Sequence, residues 1–135
     1  MSGFDQHRTE EMLASDAYAK ALGVELVAVT SDEIVVGLDV TESHLNFLDL
    51  GHGGMVFSLA DCAFSLASNN AGDRAVAIDA HLVLTAATRF RDRLEARVIE
   101  SSRGRTLGTY RVEVIRQDGR IVGLFTGTVH IRSSG

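Results

Sequence analysis

With 135 residues, 45% of them hydrophobic and 23% charged, the chain has the size and composition of one soluble globular domain with a core of its own. Its net charge of -5, from 13 basic against 18 acidic residues, leaves no positive field to release counterions and excludes nucleic acid as the main partner. A single cysteine, Cys62, forms no internal disulfide, no apolar signal core precedes the first polar residues, and the longest apolar stretch, Met55 to Ala67, is broken by Ser58, Asp61 and Ser65, so the reading is a cytoplasmic protein with no membrane span.

Residues 5–21 read as one helix, with Met12, Leu13, Ala17 and Ala21 at helical spacing and Gly23 closing it, so 1–22 is an N-terminal helical segment. Val24 to Thr30 and Glu33 to Val40 are strands joined by Ser31-Asp32. Thr41 to His44 form a one-turn cap, and Asn46 to Gly51 is loop. A long helix runs from Gly53 to about Ala71, where Asn70-Ala71-Gly72-Asp73 stops it. Strands follow over Ala75 to Thr88, Arg93 to Ser102, Thr106 to Gln117 and Arg120 to Ile131, with Asp118-Gly119 as a hairpin turn. Tyr110, Val112 and Val114 alternate with Arg111 and Glu113, the period of a half-buried strand. One apolar helix among about six antiparallel strands gives the α+β class, and the lack of strand–helix–strand alternation excludes a doubly wound sheet. A helix apolar nearly all round needs enclosing, and a sheet of five or six strands curved around it is the simplest solution.

Chemistry concentrates at Gly51-His52-Gly53-Gly54 and the helix it opens. The free amides of a helix start accept a negative oxygen. Asp61 sits among Phe57, Leu59, Ala60, Ala63 and Phe64, where a carboxylate is expensive unless it has a partner or a task. At 100° per residue, Ser68 and Gly54 lie within 20° of Asp61 and Ser65 within 40°, so two hydroxyls share its stripe. An acid held by Ser65 or a backbone amide for purely structural reasons is the plain alternative. Eight residues separate Gly53 from Asp61, about 12 Å of helix. A base must come within about 3 Å of the proton it takes, so if both act on one carbonyl they come from different subunits. That argues for an isologous dimer as the minimal active unit.

His44-Leu45-Asn46, His52-Gly53-Gly54 and the run Leu59-Ala60-Asp61-Cys62-Ala63-Phe64-Ser65-Leu66-Ala67-Ser68-Asn69 resemble the PaaI-type hotdog thioesterases of phenylacetate degradation. The likeness continues through Thr109 to Val114 and Leu124 to Val129 and covers most of residues 22–131. It implies one hotdog thioesterase domain over 1–135. It implies an acyl-CoA substrate of an aromatic, phenylacetyl-type acid, with coenzyme A as part of the substrate and no separate cofactor or metal. It implies a homotetramer built from dimers. Asp61 would be nucleophile or general base, the Gly53 amide would polarise the thioester carbonyl, and Asn46 would place water or thioester. Ser65 would support the acid, and His52 would shape the loop. Gly54 and Ser68 would line the substrate, and Arg103 and Arg105, flanking Gly104 in a turn, would meet coenzyme A. Two departures stand out: Asp49 where relatives often carry glycine, and Val83-Leu84-Thr85-Ala86 where they often carry an aromatic-x-Arg-Pro segment.

Other candidates read more plainly. His81, in an apolar run, is a core or interface histidine. His44 and His52 have no cysteine or acid at zinc spacing. Cys62 is a small buried hydrophobe. Arg89, Arg91 and Arg93 have the spacing of one strand face and form either a solvated edge or a contact with coenzyme A phosphates. A hotdog enoyl-CoA hydratase or dehydratase and a non-catalytic acyl-CoA-binding domain are the alternative functions.

Overall fold

The computed structural model describes residues 3–132; Met1 and Ser2 of the N-terminal segment, and residues 133–135, lie outside the described residues. The single helix expected over 5–21 is two: α1, Gln6–Ala14, and α2, Ala17–Leu22. Asp16 causes the break. Its carboxylate accepts the Ala19 amide at 3.0 Å, which a continuous helix would give to the Ser15 carbonyl, while the Ser15 hydroxyl turns back to Glu11 O. Gly23, at φ 91, supplies the left-handed cap.

Six antiparallel strands follow: β1 (Glu25–Val29), β2 (Ile34–Asp39), β3 (Arg74–Leu84), β4 (Arg93–Arg103), β5 (Leu107–Arg116) and β6 (Ile121–Arg132). They form one sheet in the order β1-β2-β4-β5-β6-β3. The inner face is apolar by strict alternation: Leu94, Ala96 and Val98 on β4, and Tyr110, Val112 and Val114 on β5, are buried while Arg111 and Glu113 point outward. Against this face lies α3, Gly53–Ser68. Phe64 meets Phe125 and Tyr110 with ring centroids 5.4 and 5.8 Å apart. Burying a side chain of this kind contributes about 1.5–3 kcal/mol. Gly127 on β6 is where the sheet yields to Phe64, since a Cβ there would stand 2.7 Å from the ring.

α3 ends three residues earlier than expected because Asn69 leaves the helix. Its amide donates to Ser65 O at 3.0 Å and its oxygen accepts the Ala75 amide at 3.0 Å, tying the helix end to β3. β3 also stops early, at Leu84 rather than Thr88: Thr85 still donates to Val122 O, then the chain leaves the sheet so that Gly51 N can donate to Thr88 O at 2.7 Å. Arg89 and Arg91 therefore lie in the loop before β4, not on a strand face.

The expected enclosure of α3 is one-sided. Gly54 and Ser65 are exposed and Ser58 and Asp61 half-buried, an open stripe along the helix away from the sheet. These four positions at spacings of four, three and four are small or polar, and among the described residues no strand covers them. β3 is an edge strand with Val76 and Ile78 exposed at 55% and 59%, and His81 beside them is exposed, so it is no core residue of this chain. Among the described residues no helix is long and apolar enough to cross a membrane.

Candidate active site

The helix start is built by its loop. His44 is buried; its Nδ1 accepts the Thr41 amide at 3.0 Å and its Nε2 donates to Leu22 O at 2.9 Å. An amide only donates and a carbonyl only accepts, so the ring is neutral with its proton on Nε2. The His44 carbonyl takes the His52 amide at 2.8 Å. Between them Asn46 folds the loop on itself: its Oδ1 accepts from Leu48 N at 2.9 Å and Leu50 N at 3.2 Å. That leaves the Asn46 Nδ2 as a free donor among the described residues. Asp49 sits at φ 59, the left-handed region, which gives a physical reason for the glycine that relatives often carry there.

At the first turn of α3 the donors divide unequally. His52 is the N-cap, and its Nδ1 accepts the Gly54 amide at 2.9 Å. Met55 and Val56 both donate to His52 O, at 3.0 and 3.4 Å. Only the Gly53 N–H has no acceptor among the described residues. The Gly54 amide next to it is already occupied by His52. Gly51 is fixed as glycine because a Cβ there would land on Thr88 Oγ1. Around this start lies a cavity of about 350 Å3 bordered by Asn46, Leu50, Gly51, Gly53 and Val56 and by residues 84–88. The segment that departs from the aromatic-x-Arg-Pro pattern is therefore its wall.

Asp61 lies two turns further on and does not border this cavity. It accepts no hydrogen bond from any described residue. Its carboxyl is held above the ordinary value of 3.8, first by burial and then by the negative charge of Asp16. A carboxylate with raised proton affinity and free lone pairs has the chemistry of a general base. Ser65 is exposed and makes no hydrogen bond to Asp61. Ser68, 1% exposed, turns its hydroxyl to Ser65 O at 3.3 Å. The structure instead brings up two groups that sequence reasoning missed. Asp16 lies 45 positions away and carries no local signal. Ser58, 60° from Asp61 on the wheel, was legible there; its hydroxyl meets the Tyr18 hydroxyl of α2 at 2.8 Å.

Cys62 is buried and its thiol is pushed up to about 12 by burial, Asp16 and Asp61, so it stays protonated. Arg103 closes the other end of α3. Its Nη1 donates to Ser68 O at 3.0 Å and to the Tyr110 hydroxyl at 2.7 Å, which in turn donates to Glu100 at 2.8 Å. Its Nη2 is buried and unpartnered among the described residues. Arg105 is exposed in the turn beyond.

The family model described as "Thioesterase superfamily" matches residues 50–122. The chain is 36% identical to the acyl-coenzyme A thioesterase PaaI of Escherichia coli K12 over 88% of this chain and 85% of that one. The solved structure of the E. coli PaaI protein superposes with a TM-score of 0.89 at 34% identity, covering 94% of this chain and 95% of that one. The TT0310 protein of Thermus thermophilus gives 0.81 at 41% identity, over 85% and 97%. A hypothetical thioesterase protein of Streptococcus pneumoniae TIGR4, crystallised with coenzyme A, gives 0.84 at 25% identity, over 91% and 96%.

Proposed function

The chain belongs to the thioesterase superfamily, has its α+β hotdog fold and is a thioester hydrolase acting on acyl-CoA; from that premise we propose that it cleaves the coenzyme A ester of an aromatic, phenylacetyl-type acid at a site shared by two subunits. The observation that carries the reading is the single free amide of the helix start, Gly53 N–H, opening with Asn46 onto a cavity of about 350 Å3. A cavity of about 150 Å3 accepts benzene, so a phenylacetyl group fits.

In this mechanism the thioester oxygen accepts the Gly53 N–H, and negative charge developing on it is stabilised by that amide and the positive end of α3. Asn46 Nδ2 holds the attacking water or the thioester. Asp61 of the second subunit takes a proton as the water oxygen bonds to the carbonyl carbon. The carbon–sulfur bond then breaks, and the proton passes to the sulfur to give free acid and coenzyme A thiol. Attack by the Asp61 carboxylate itself, through an anhydride that water opens, uses the same geometry. Coenzyme A enters as substrate, so no separate cofactor is required.

The reason for two subunits is the 12 Å or so between Gly53 and Asp61 on one helix. The open Gly54–Ser58–Asp61–Ser65 stripe and the bare apolar edge of β3 are the surfaces a second copy would cover, placing each Asp61 against the other's helix start. A tetramer of such dimers rests on the family resemblance, as do His52 as loop-shaping residue, Ser65 as support for the acid, and Gly54 and Ser68 as substrate lining. On the coenzyme side Arg105 stands free, whereas Arg103 already has internal partners.

Thiol release from a panel of aryl, short-chain and long-chain CoA esters tests the function. Phenylacetyl-type esters should be hydrolysed best, by about tenfold in kcat/KM, the discrimination of a shaped apolar pocket. Preference for long chains would overturn the aromatic reading. A change in the acyl chain without thiol release would mark a hydratase, and no change at all a binding domain.

A further inference from the structure

Asp61 is held toward its protonated form by burial and by Asp16, and no described residue donates a hydrogen bond to it. A donor beside a carboxylate favours the charged form that a base must reach. Two serines flank Asp61 on the open face of α3, Ser58 one turn toward the helix start and Ser65 one turn toward its end. Side chains three and four apart on a helix are neighbours, with about 5–6 Å between Cβ atoms. The two serines are not alike. Ser65, where the family resemblance puts support for the acid, is exposed to water. Ser58 is half-buried, and its Oγ lies 2.8 Å from the Tyr18 hydroxyl. It makes no bond back to a helix carbonyl, the course that Ser68 takes.

Tyr18 reaches Ser58 because α2 is a separate helix. Asp16 caps α2 through Ala19 N at 3.0 Å, Gly23 closes it at φ 91, and Ala19, 2% exposed, fastens it to the core. One proton serves the contact between the two hydroxyls. A phenol is a stronger donor than an alcohol, so Tyr18 donates and Ser58 keeps its own proton for the charged acceptor on its stripe. Gly53 and Asp61 have their midpoint at Phe57, and Ser58 stands beside it. A second copy set with its Gly53 against this Asp61 crosses α3 there and shields Ser58 from water, where a hydrogen bond to a charge is stronger.

Resting on the reading of Asp61 as the base, we propose that Tyr18 and Ser58 are positioning residues: Tyr18 donates to Ser58, Ser58 donates to the Asp61 carboxylate, and the chain fixes the acid and favours its ionised form. The other titratable groups close to Asp61 are Asp16 on α2 and Cys62 on α3. From the sheet, Glu100, Arg103 and Tyr110 gather at the far end of α3 around Ser68 O, and from α1 Arg8 reaches Asn69 O at 2.9 Å. The test follows the Asp61 carboxyl by carbon-13 NMR titration, its signal assigned with Asp61→Asn, and kcat/KM against pH in the same proteins. Loss of a donor raises a carboxyl pKa. Ser58→Ala should therefore move the carboxyl titration and the acid limb to higher pH and cut kcat/KM on that limb by about tenfold, the weight of a hydrogen bond to a charge. Tyr18→Phe should act in the same direction by less, and the double variant no more than Ser58→Ala alone, because Tyr18 acts through Ser58. Ser58→Thr, which keeps the hydroxyl, should leave the profile in place. An unmoved titration in Ser58→Ala, whatever happens to Tm, would make the pair a strut between α2 and α3 and overturn the proposal. A shift produced by Ser65→Ala in its place would overturn it as well. A moved carboxyl titration with an unmoved acid limb would uphold the chain and sink Asp61 as the base.

Discussion

In the proposed mechanism Asp61 couples function to stability. Its carboxyl titrates above 3.8 in the folded chain because burial and Asp16 both disfavour the charge. The folded state therefore prefers the protonated form. The stability linked to this group is fully present below 3.8 and is lost as pH rises through the folded value. Asp61→Asn, nearly isosteric and uncharged, should lower turnover by about a hundredfold or more, as loss of a general base does. It should also raise Tm at about pH 7, with the gain shrinking as the pH falls from the raised folded value toward 3.8. Wild-type turnover, or a lower Tm at neutral pH, would make Asp61 a structural prop. The acid itself was legible as a lone carboxylate in an apolar helix. The hydroxyls around it were not: a wheel gives the direction of Cβ but not the partner of Oγ. Ser68 resolves its hydroxyl on the helix backbone.

The packing of α2 on α3 adds to the effect of burial on how that acid titrates. Asp16 caps α2 through Ala19 N, and its charge reaches both Asp61 and Cys62. Asparagine caps a helix as well as aspartate, so Asp16→Asn should leave helix content unchanged by circular dichroism. Removing the charge lowers the Asp61 pKa, and the acid limb of kcat/KM should move to lower pH. An unmoved limb would put the Asp16 charge out of reach of the reaction. This element was hard to read in advance. Ala17 and Ala21 continue the spacing of Met12 and Leu13, so periodicity runs straight through a break made by side-chain capping. β5 and β6 were legible for the opposite reason: burial on one face leaves its alternation in the sequence, and Asp118-Gly119 marks the turn, with Gly119 at φ 85. The loop at Asn46 lay between these cases. Its ends were visible, but its closure by Oδ1 depends on contacts between residues two and four apart, which no hydrophobic pattern records.

At the scale of the molecule, the proposed mechanism assigns its two halves to Gly53 and Asp61, about 12 Å apart on one helix, too far to meet within one chain. A decisive pair of variants follows from the local geometry. Gly53 is the first helical residue, where proline is favoured, and His52 already has the extended ψ of 136° that a residue before proline adopts. Gly53→Pro removes the free N–H at a position that tolerates proline; a Cβ there meets the flexible tip of Leu84 at 2.9 Å, which must shift slightly. Loss of one such donor costs about a hundredfold to a thousandfold in kcat. Gly53→Pro and Asp61→Asn should each be nearly inactive alone. Refolded together at equal amounts, half of the dimers pair one variant with the other. In each of these, one site carries both defects and the second carries neither, because an isologous interface exchanges the two helices. Half of the dimers with one of two sites intact restores about a quarter of wild-type activity. Absence of recovery in mixtures shown by native mass spectrometry to contain the mixed dimer would mean that Gly53 and Asp61 do not cooperate across subunits. The open stripe of α3 would then need a different occupant.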